Sequence, residues 1–131
     1  MGMAGNNILY KVDNGERVIP RENDVEVGDY IFINSDGKAE KALANSINKM
    51  PCIGRVVRIQ SNKCVFKKDL IENDYGQITP RDVFFISDTE AGEITDTVPT
   101  SSDSVIQMIG LGLANDEILV NIDPTNVIIR S

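Results

Sequence analysis

Apolar side chains along this chain fall in short runs broken by turn-forming residues. "ILYKV" (8–12) gives way to "NGE" and then "RVIP" (17–20). "VEVGDYIFINSDGKAEKA" (25–42) reads as two strand-like halves around Asp36-Gly37, a strong short-range hairpin signal. "CIGRVVRI" (52–59) follows, and "SNK" turns it into "CVFKK" (64–68). This rhythm, punctuated by Gly, Asn, Asp and Pro, predicts an all-β chain: a small antiparallel β-barrel or a two-sheet sandwich. One stretch, "ALANSINKM" (42–50), has a helical reading, but it is short and rich in Asn. Composition supports strands, with 17 Ile and 12 Val against 6 Leu and 6 Ala. β-branched side chains suit a pleated surface and lose rotamer freedom in helices.

The runs repeat. Gly28-Asp29-Tyr30-Ile31-Phe32-Ile33-Asn34-Ser35-Asp36-Gly37 aligns with Arg81-Asp82-Val83-Phe84-Phe85-Ile86-Ser87-Asp88 and then Gly92. "CIGRVV" (52–57) aligns with "MIGLGL" (108–113), and each is followed by a polar turn and another strand: "SNK" then "CVFKK", "AND" then "EILVNI". The offset grows from 53 residues at Asp29/Asp82 to 55 at Gly37/Gly92 and 56 at Gly54/Gly110, which places a longer turn in the second copy. The expectation is an internal duplication of two four-strand halves, about 25–70 and 78–124, within a single β domain over 8–131. The first seven residues, "MGMAGNN", are expected to form a flexible or partner-bound arm.

Charge and residue usage narrow the function. At 131 residues the chain has room for one well-buried core without a staple. A net charge of −7 argues against nucleic acid, whose phosphates call for clustered Lys and Arg. Lys63, Lys67 and Lys68 form the nearest cluster, read as a solvated loop beside Asp69. No apolar run approaches the ~18 residues of a spanning helix, and no membrane role is expected. The chain has no histidine, the commonest general acid/base, and no phosphate loop, dinucleotide fingerprint or calcium-loop spacing. Cys52 and Cys64, lacking histidine partners, read as small buried apolar groups in a reducing compartment. No catalytic, cofactor or metal residue is assigned, and no enzyme activity is expected. Gly110 and Gly112 lie in an apolar run, where glycine marks a bulge or tight bend rather than a ligand loop.

One stretch has the composition of a cation or acid site. "RDVFFISDTEAGEITDT" (81–97) carries Asp88, Glu90, Glu93 and Asp96 within nine residues. Asp88, Glu90 and Glu93 could converge on a cation at a turn. Ala91-Gly92 is nevertheless a conventional turn tip, and alignment with "GDYIFINSDGKAEKA" makes Val83–Ile86 a core strand. The carboxylates are then the rim of a hairpin, and any partner docking on that rim would bind more weakly as salt rises.

Residues 83–124 also resemble a pattern found in tailed-bacteriophage virion proteins. In "VFFISDTEAGEITDTVPTSSDSVIQMIGLGLANDEILVNIDP" a hydrophobic strand ends in Ser-Asp-Thr and is followed by Ala-Gly-Glu-Ile-Thr. A Pro-Thr segment, a Val-Ile-Gln-Met-Ile-Gly-Leu strand and a last strand closing before Pro124 complete it. "VGDYIFINSDGKAEKA…CIGRVV" resembles the upstream part, so the likeness spans residues 25–124. Here Lys, Asn and Ile replace many of the Ala and Gly that the pattern usually carries. The family comprises small β-rich capsid decoration or head-fibre proteins, also found as tail-fibre modules. The resemblance implies a non-enzymatic structural protein that decorates or stabilises the capsid, with a tail-fibre or receptor-binding module as the alternative. Its implied partners are the major capsid protein or other virion structural proteins and further copies of itself, a trimer by analogy. The implied location is the capsid surface of the virion, assembled in the bacterial host cytoplasm. The shared residues are turn and strand positions, so none is carried over as a functional residue.

Overall fold

The computed structural model describes residues 15–131. The arm expected over 1–7 and the strand expected over 8–12 fall outside them. In chain order the strands are Arg17–Pro20 (β1), Tyr30–Ile33 (β2), Ala39–Lys41 (β3), Gly54–Gln60 (β4), Lys63–Lys67 (β5) and Asp69–Glu72 (β6). Val83–Ile86 (β7), Ile94–Thr95 (β8), Val105–Ile106 (β9), Met108–Gly112 (β10), Ile118–Asn121 (β11) and Ile128–Ile129 (β12) follow. They build two five-stranded antiparallel sheets, ordered β1-β5-β4-β2-β3 and β6-β11-β10-β7-β8, with β9 and β12 as a separate ribbon. The fold is all-β and arranged as a two-sheet sandwich. An isolated parallel bridge from Arg21 to Ala39 curls the first sheet, but neither sheet closes into a barrel.

The helical reading of 42–50 reduces to one 3₁₀ turn, Ile47–Lys49, where the Ser46 hydroxyl accepts the Asn48 N–H at 3.3 Å. The Asn-rich segment caps and turns rather than propagating a helix.

The duplication is visible in the pairing. The two sheet orders become identical when β1 to β5 are matched with β6, β7, β8, β10 and β11. Register agrees as well: Tyr30 opposite Arg55 and Ile31 opposite Gly54 recur as Val83 opposite Leu111 and Phe84 opposite Gly110. Phe32 opposite Glu40 and Ile33 opposite Ala39 recur as Phe85 opposite Thr95 and Ile86 opposite Ile94. The lead-in turns repeat bond for bond. Gly28 N–H donates to Val56 C=O and Val56 N–H to Asp29 C=O; Arg81 N–H donates to Gly112 C=O and Gly112 N–H to Asp82 C=O.

Matched glycines make the same close approach. A Cβ on Gly54 would strike Phe66 and come within 2.9 Å of the Lys67 carbonyl. On Gly110 it would lie 2.6 Å from Ile118 and 3.1 Å from the Leu119 carbonyl. Only a residue without Cβ lets these strands approach, which is why the Ile-Gly step recurs. The register of β10 on β7 also shifts between Met108 and Gly110, the bulge expected there.

Each half supplies five strands to its sheet, not four. The missed pair is β1 and β6, so the repeats begin near Arg17 and Asp69 rather than at 25 and 78. Both are short edge strands, RVIP and DLIE, alike only in an apolar pair ending at Ile19 and Ile71, so alignment passes over them.

Two cores result. One collects Val25, Ile31, Ala39, Val56 and Cys64 inside the first sheet. The other holds Phe84, Ile86, Ile109, Ile118 and Val120 of the second sheet together with Tyr30, Phe32 and Cys52 of the first. The first sheet therefore contributes both of its faces to burial.

Candidate functional site

The buried polar groups gather where the two halves meet. Glu72, at the end of β6, is 5% exposed. Its Oε1 accepts from the Tyr30 hydroxyl at 3.0 Å and from Arg55 Nε at 2.5 Å, and its Oε2 accepts the Asp74 N–H at 2.8 Å. Arg55 Nη2 reaches Asp74 Oδ2 at 3.4 Å. Tyr30 and Arg55 belong to β2 and β4 of the first sheet, so this network clips sheet to sheet. Burial, and then the Glu72 charge beside it, push the Tyr30 hydroxyl well above the usual phenol range. It is a donor held neutral, not a poised base. A cleft of about 210 Å³ opens over the network, lined also by Gly28, Tyr75 and Glu93.

Gln107 forms a second clip. It is fully buried, with its Oε1 accepting the Cys52 N–H at 2.8 Å. Its Nε2 donates to the Cys52 carbonyl at 2.9 Å and to the Asp123 carbonyl at 3.2 Å. An amide side chain here substitutes for a neighbouring strand. Cys52 and Cys64 are both free and buried. Burial pushes the Cys52 thiol up to about 12, and its Sγ lies 3.5 Å from the Gly54 carbonyl, so it packs as an apolar group rather than as a nucleophile.

The acidic stretch folds as the β7–β8 hairpin. Glu90, Glu93 and Asp96 are exposed and Asp88 is half-buried. The Ser87 hydroxyl accepts the Thr89 and Glu90 N–H groups at 3.1 and 3.0 Å. Asn34 Oδ1, at the matched position of the first copy, accepts from Asp36 and Lys38, both at 3.0 Å. A side-chain acceptor closes the turn in both copies, Asn34 in the first and Ser87 in the second, so the two Ser-Asp steps stand one residue out of register. Among the described residues no group of three or more Cys, Asp or Glu is placed to hold a metal ion.

At the tip of this hairpin Glu90 and Ala91 are exposed but Gly92 is not. Gly92, at φ 81°, is buried against the first half: it donates to the Ala42 carbonyl at 2.8 Å and its carbonyl accepts the Tyr30 N–H at 2.9 Å. Ala44 N–H donates to the Ser87 carbonyl and Val105 N–H to the Ala44 carbonyl, both at 2.8 Å. The second half thus plugs its turn into the flank of the first.

The outward face of the second sheet carries the features that sequence reading missed. Ile71, Leu119, Leu111 and Val83 stand opposite one another across β6, β11, β10 and β7. Directly opposed residues share a face, so they form one apolar row. Ile71, Leu111 and Leu119 are 46%, 42% and 47% exposed, and Met108 beside them 52%. A groove of about 590 Å³ runs along this face. The signal was present as "LGL" and "EILVN", whose alternation turns Leu111 and Leu119 to the face away from the buried Ile118 and Val120, but a single strand does not reveal a row.

Compared with family models, curated proteins and solved structures, the chain gives no match. What fold and site define is therefore a class: a duplicated all-β domain whose internal polar groups join its halves and whose outward face is partly apolar.

Proposed function

We propose that this chain is a non-enzymatic structural protein of a tailed-phage virion, one that decorates or stabilises the capsid by surface contact. The observation that carries the binding reading is the row Ile71–Leu119–Leu111–Val83, large apolar side chains in register on an outward sheet face. Ordered exposed apolar patches mark contact surfaces. Polar groups that could do chemistry are occupied otherwise: Glu72, Arg55, Tyr30 and Gln107 hold the two sheets together, and Cys52 is a protonated buried thiol. The virion assignment rests on the likeness of residues 25–124 to the phage pattern, with the capsid shell or another virion protein and further copies of the chain as partners.

The test is quantitative mass spectrometry of intact particles purified from cells expressing the protein. Copy numbers comparable with the major shell protein support decoration. A few copies per particle would move the chain to the tail, and absence from particles would end the virion reading.

A further inference from the structure

Two copies of one fold can pack reciprocally or head to tail, and this chain packs head to tail. The end of the second sheet bearing Ile86, Ser87 and Gly92 is inserted against Tyr30, Phe32, Ala42 and Ala44 of the first. A two-fold relation would return the contact, with the matched Ile33, Asn34 and Gly37 seated on the second half. They are not. A Cβ on Gly37 would meet nothing within 4 Å, and Ile33 is 50% exposed where its counterpart Ile86 is fully buried.

The receiving surfaces are equally unbalanced. Tyr30, Phe32 and Cys52, covered by the second half, are 2%, 5% and 0% exposed. Their counterparts are Val83, Phe85 and Met108, of which the first two are only half-buried and Met108 is exposed. Arg55, enclosed in the ion-pair network, has Leu111 as its counterpart. Uncovered, this face is more apolar than the covered one.

From this mismatch we infer that the chain self-associates head to tail. The Ile33–Gly37 end of one copy seats on the Val83–Phe85–Met108–Leu111 face of the next, continuing between molecules the contact that already joins the halves within one. Such a heterologous contact leaves one donor end and one receiving face per copy, so it proceeds until a ring closes or a filament grows. The occupant is a second copy because the matched face of the same fold is covered by that fold. Val83 and Leu111 make the contact apolar where Tyr30 and Arg55 make it polar inside the chain. The inference rests on the repeat and not on the virion reading, and purified protein without particles tests it.

Sedimentation velocity of the full chain across a concentration series is expected to show assemblies larger than a monomer. Leu111→Glu, on the receiving face, and Ile33→Glu, on the donor end, are each expected to give monomers with unchanged far-ultraviolet circular dichroism. Met108→Glu replaces Leu111→Glu should the latter fail to fold. Mixing the two monomeric variants is the sharper step. One keeps its donor end and the other its receiving face, so a head-to-tail contact yields dimers and stops there. A wild-type chain that stays monomeric throughout overturns the inference. So does assembly untouched by either substitution, loss of assembly only on deleting residues 1–14, or a mixture that stays monomeric.

Discussion

Gln107 pairs with Cys52 across 55 residues as an adjacent strand would, accepting its N–H at 2.8 Å and donating to its carbonyl at 2.9 Å. The contact joins the two copies of the repeat inside the larger core. Replacing the side chain with one of similar size but no amide leaves two buried backbone groups unpaired. Gln107→Leu is expected to cost about 2–6 kcal/mol, at about 1–3 kcal/mol for each unsatisfied group. Urea unfolding monitored by circular dichroism measures it.

The Arg55–Glu72 pair is 12% and 5% exposed at its two side chains. Breaking one side strands a buried charge, so Glu72→Ala is expected to lose about 3–5 kcal/mol. Substituting the whole cluster with apolar groups (Tyr30→Phe, Arg55→Met, Glu72→Leu) should recover most of that loss, because the desolvation of the charges disappears with them. A triple variant no more stable than Glu72→Ala would mean the network is needed for register.

The two turn glycines separate backbone strain from contact. Gly37 and Gly92 share left-handed φ values of 77° and 81°. A Cβ on Gly37 has open space, whereas on Gly92 it lies 2.9 Å from Asp29 Oδ1 and 3.3 Å from Lys41. Gly37→Ala is expected to cost about 1 kcal/mol from strain alone, and Gly92→Ala an additional 1–3 kcal/mol or so from overpacking. Equal thermal shifts in the two variants would show that the second turn does not press on the first half.

Alkaline pH should weaken the fold through Cys52. Its ordinary value is 9.0, and burial raises it to about 12 in the folded chain. Above pH 9 the unfolded chain has already lost this proton while the folded chain keeps it. The unfolded state then binds fewer protons, so stability is full below pH 9 and falls as pH rises towards 12. Tyr30, also raised by burial, acts in the same direction above its ordinary 10.0. Cys52→Ala is expected to flatten the decline between pH 9 and 10, read from urea midpoints along a pH series.

The acidic hairpin rim should be thermodynamically quiet. Glu90→Gln, Glu93→Gln and Asp96→Asn remove exposed charges, and each is expected to change stability by less than about 0.5 kcal/mol. Added calcium should leave the melting temperature of the wild type unchanged. A rise with calcium would reveal a bound ion, since a ligand of the native state stabilises by mass action.

The sequence carried the fold class and the repeat because both live in local signals. Turn residues at Asp36-Gly37 and Ala91-Gly92, the Ile-Gly step at Gly54 and Gly110, and β-branched runs each have a local physical cause. Strands β1 and β6 were hidden as repeat partners because edge strands answer to their neighbours rather than to a shared pattern. The junction was hidden for a different reason. Glu72 meets Tyr30 and Arg55, and Gln107 meets Cys52, through tertiary packing that no spacing encodes. The likeness of Gly92 to Gly37 marks both as turn glycines; only the head-to-tail arrangement buries one and leaves the other open. Of the carboxylates beside Gly92, Glu90 is exposed on the rim, whereas Glu93 lines the cleft over the Glu72 network.

Hydroxyl-radical footprinting across a concentration series tests the unequal covering of matched faces most directly. The account predicts that Met108, Leu111 and Ile33 are oxidised readily in dilute protein and become protected together as concentration rises, while the exposed Ile128 and Ile129 do not change. Oxidation of Met108 and Ile33 that is independent of concentration, or protection confined to Ile128 and Ile129, would contradict it.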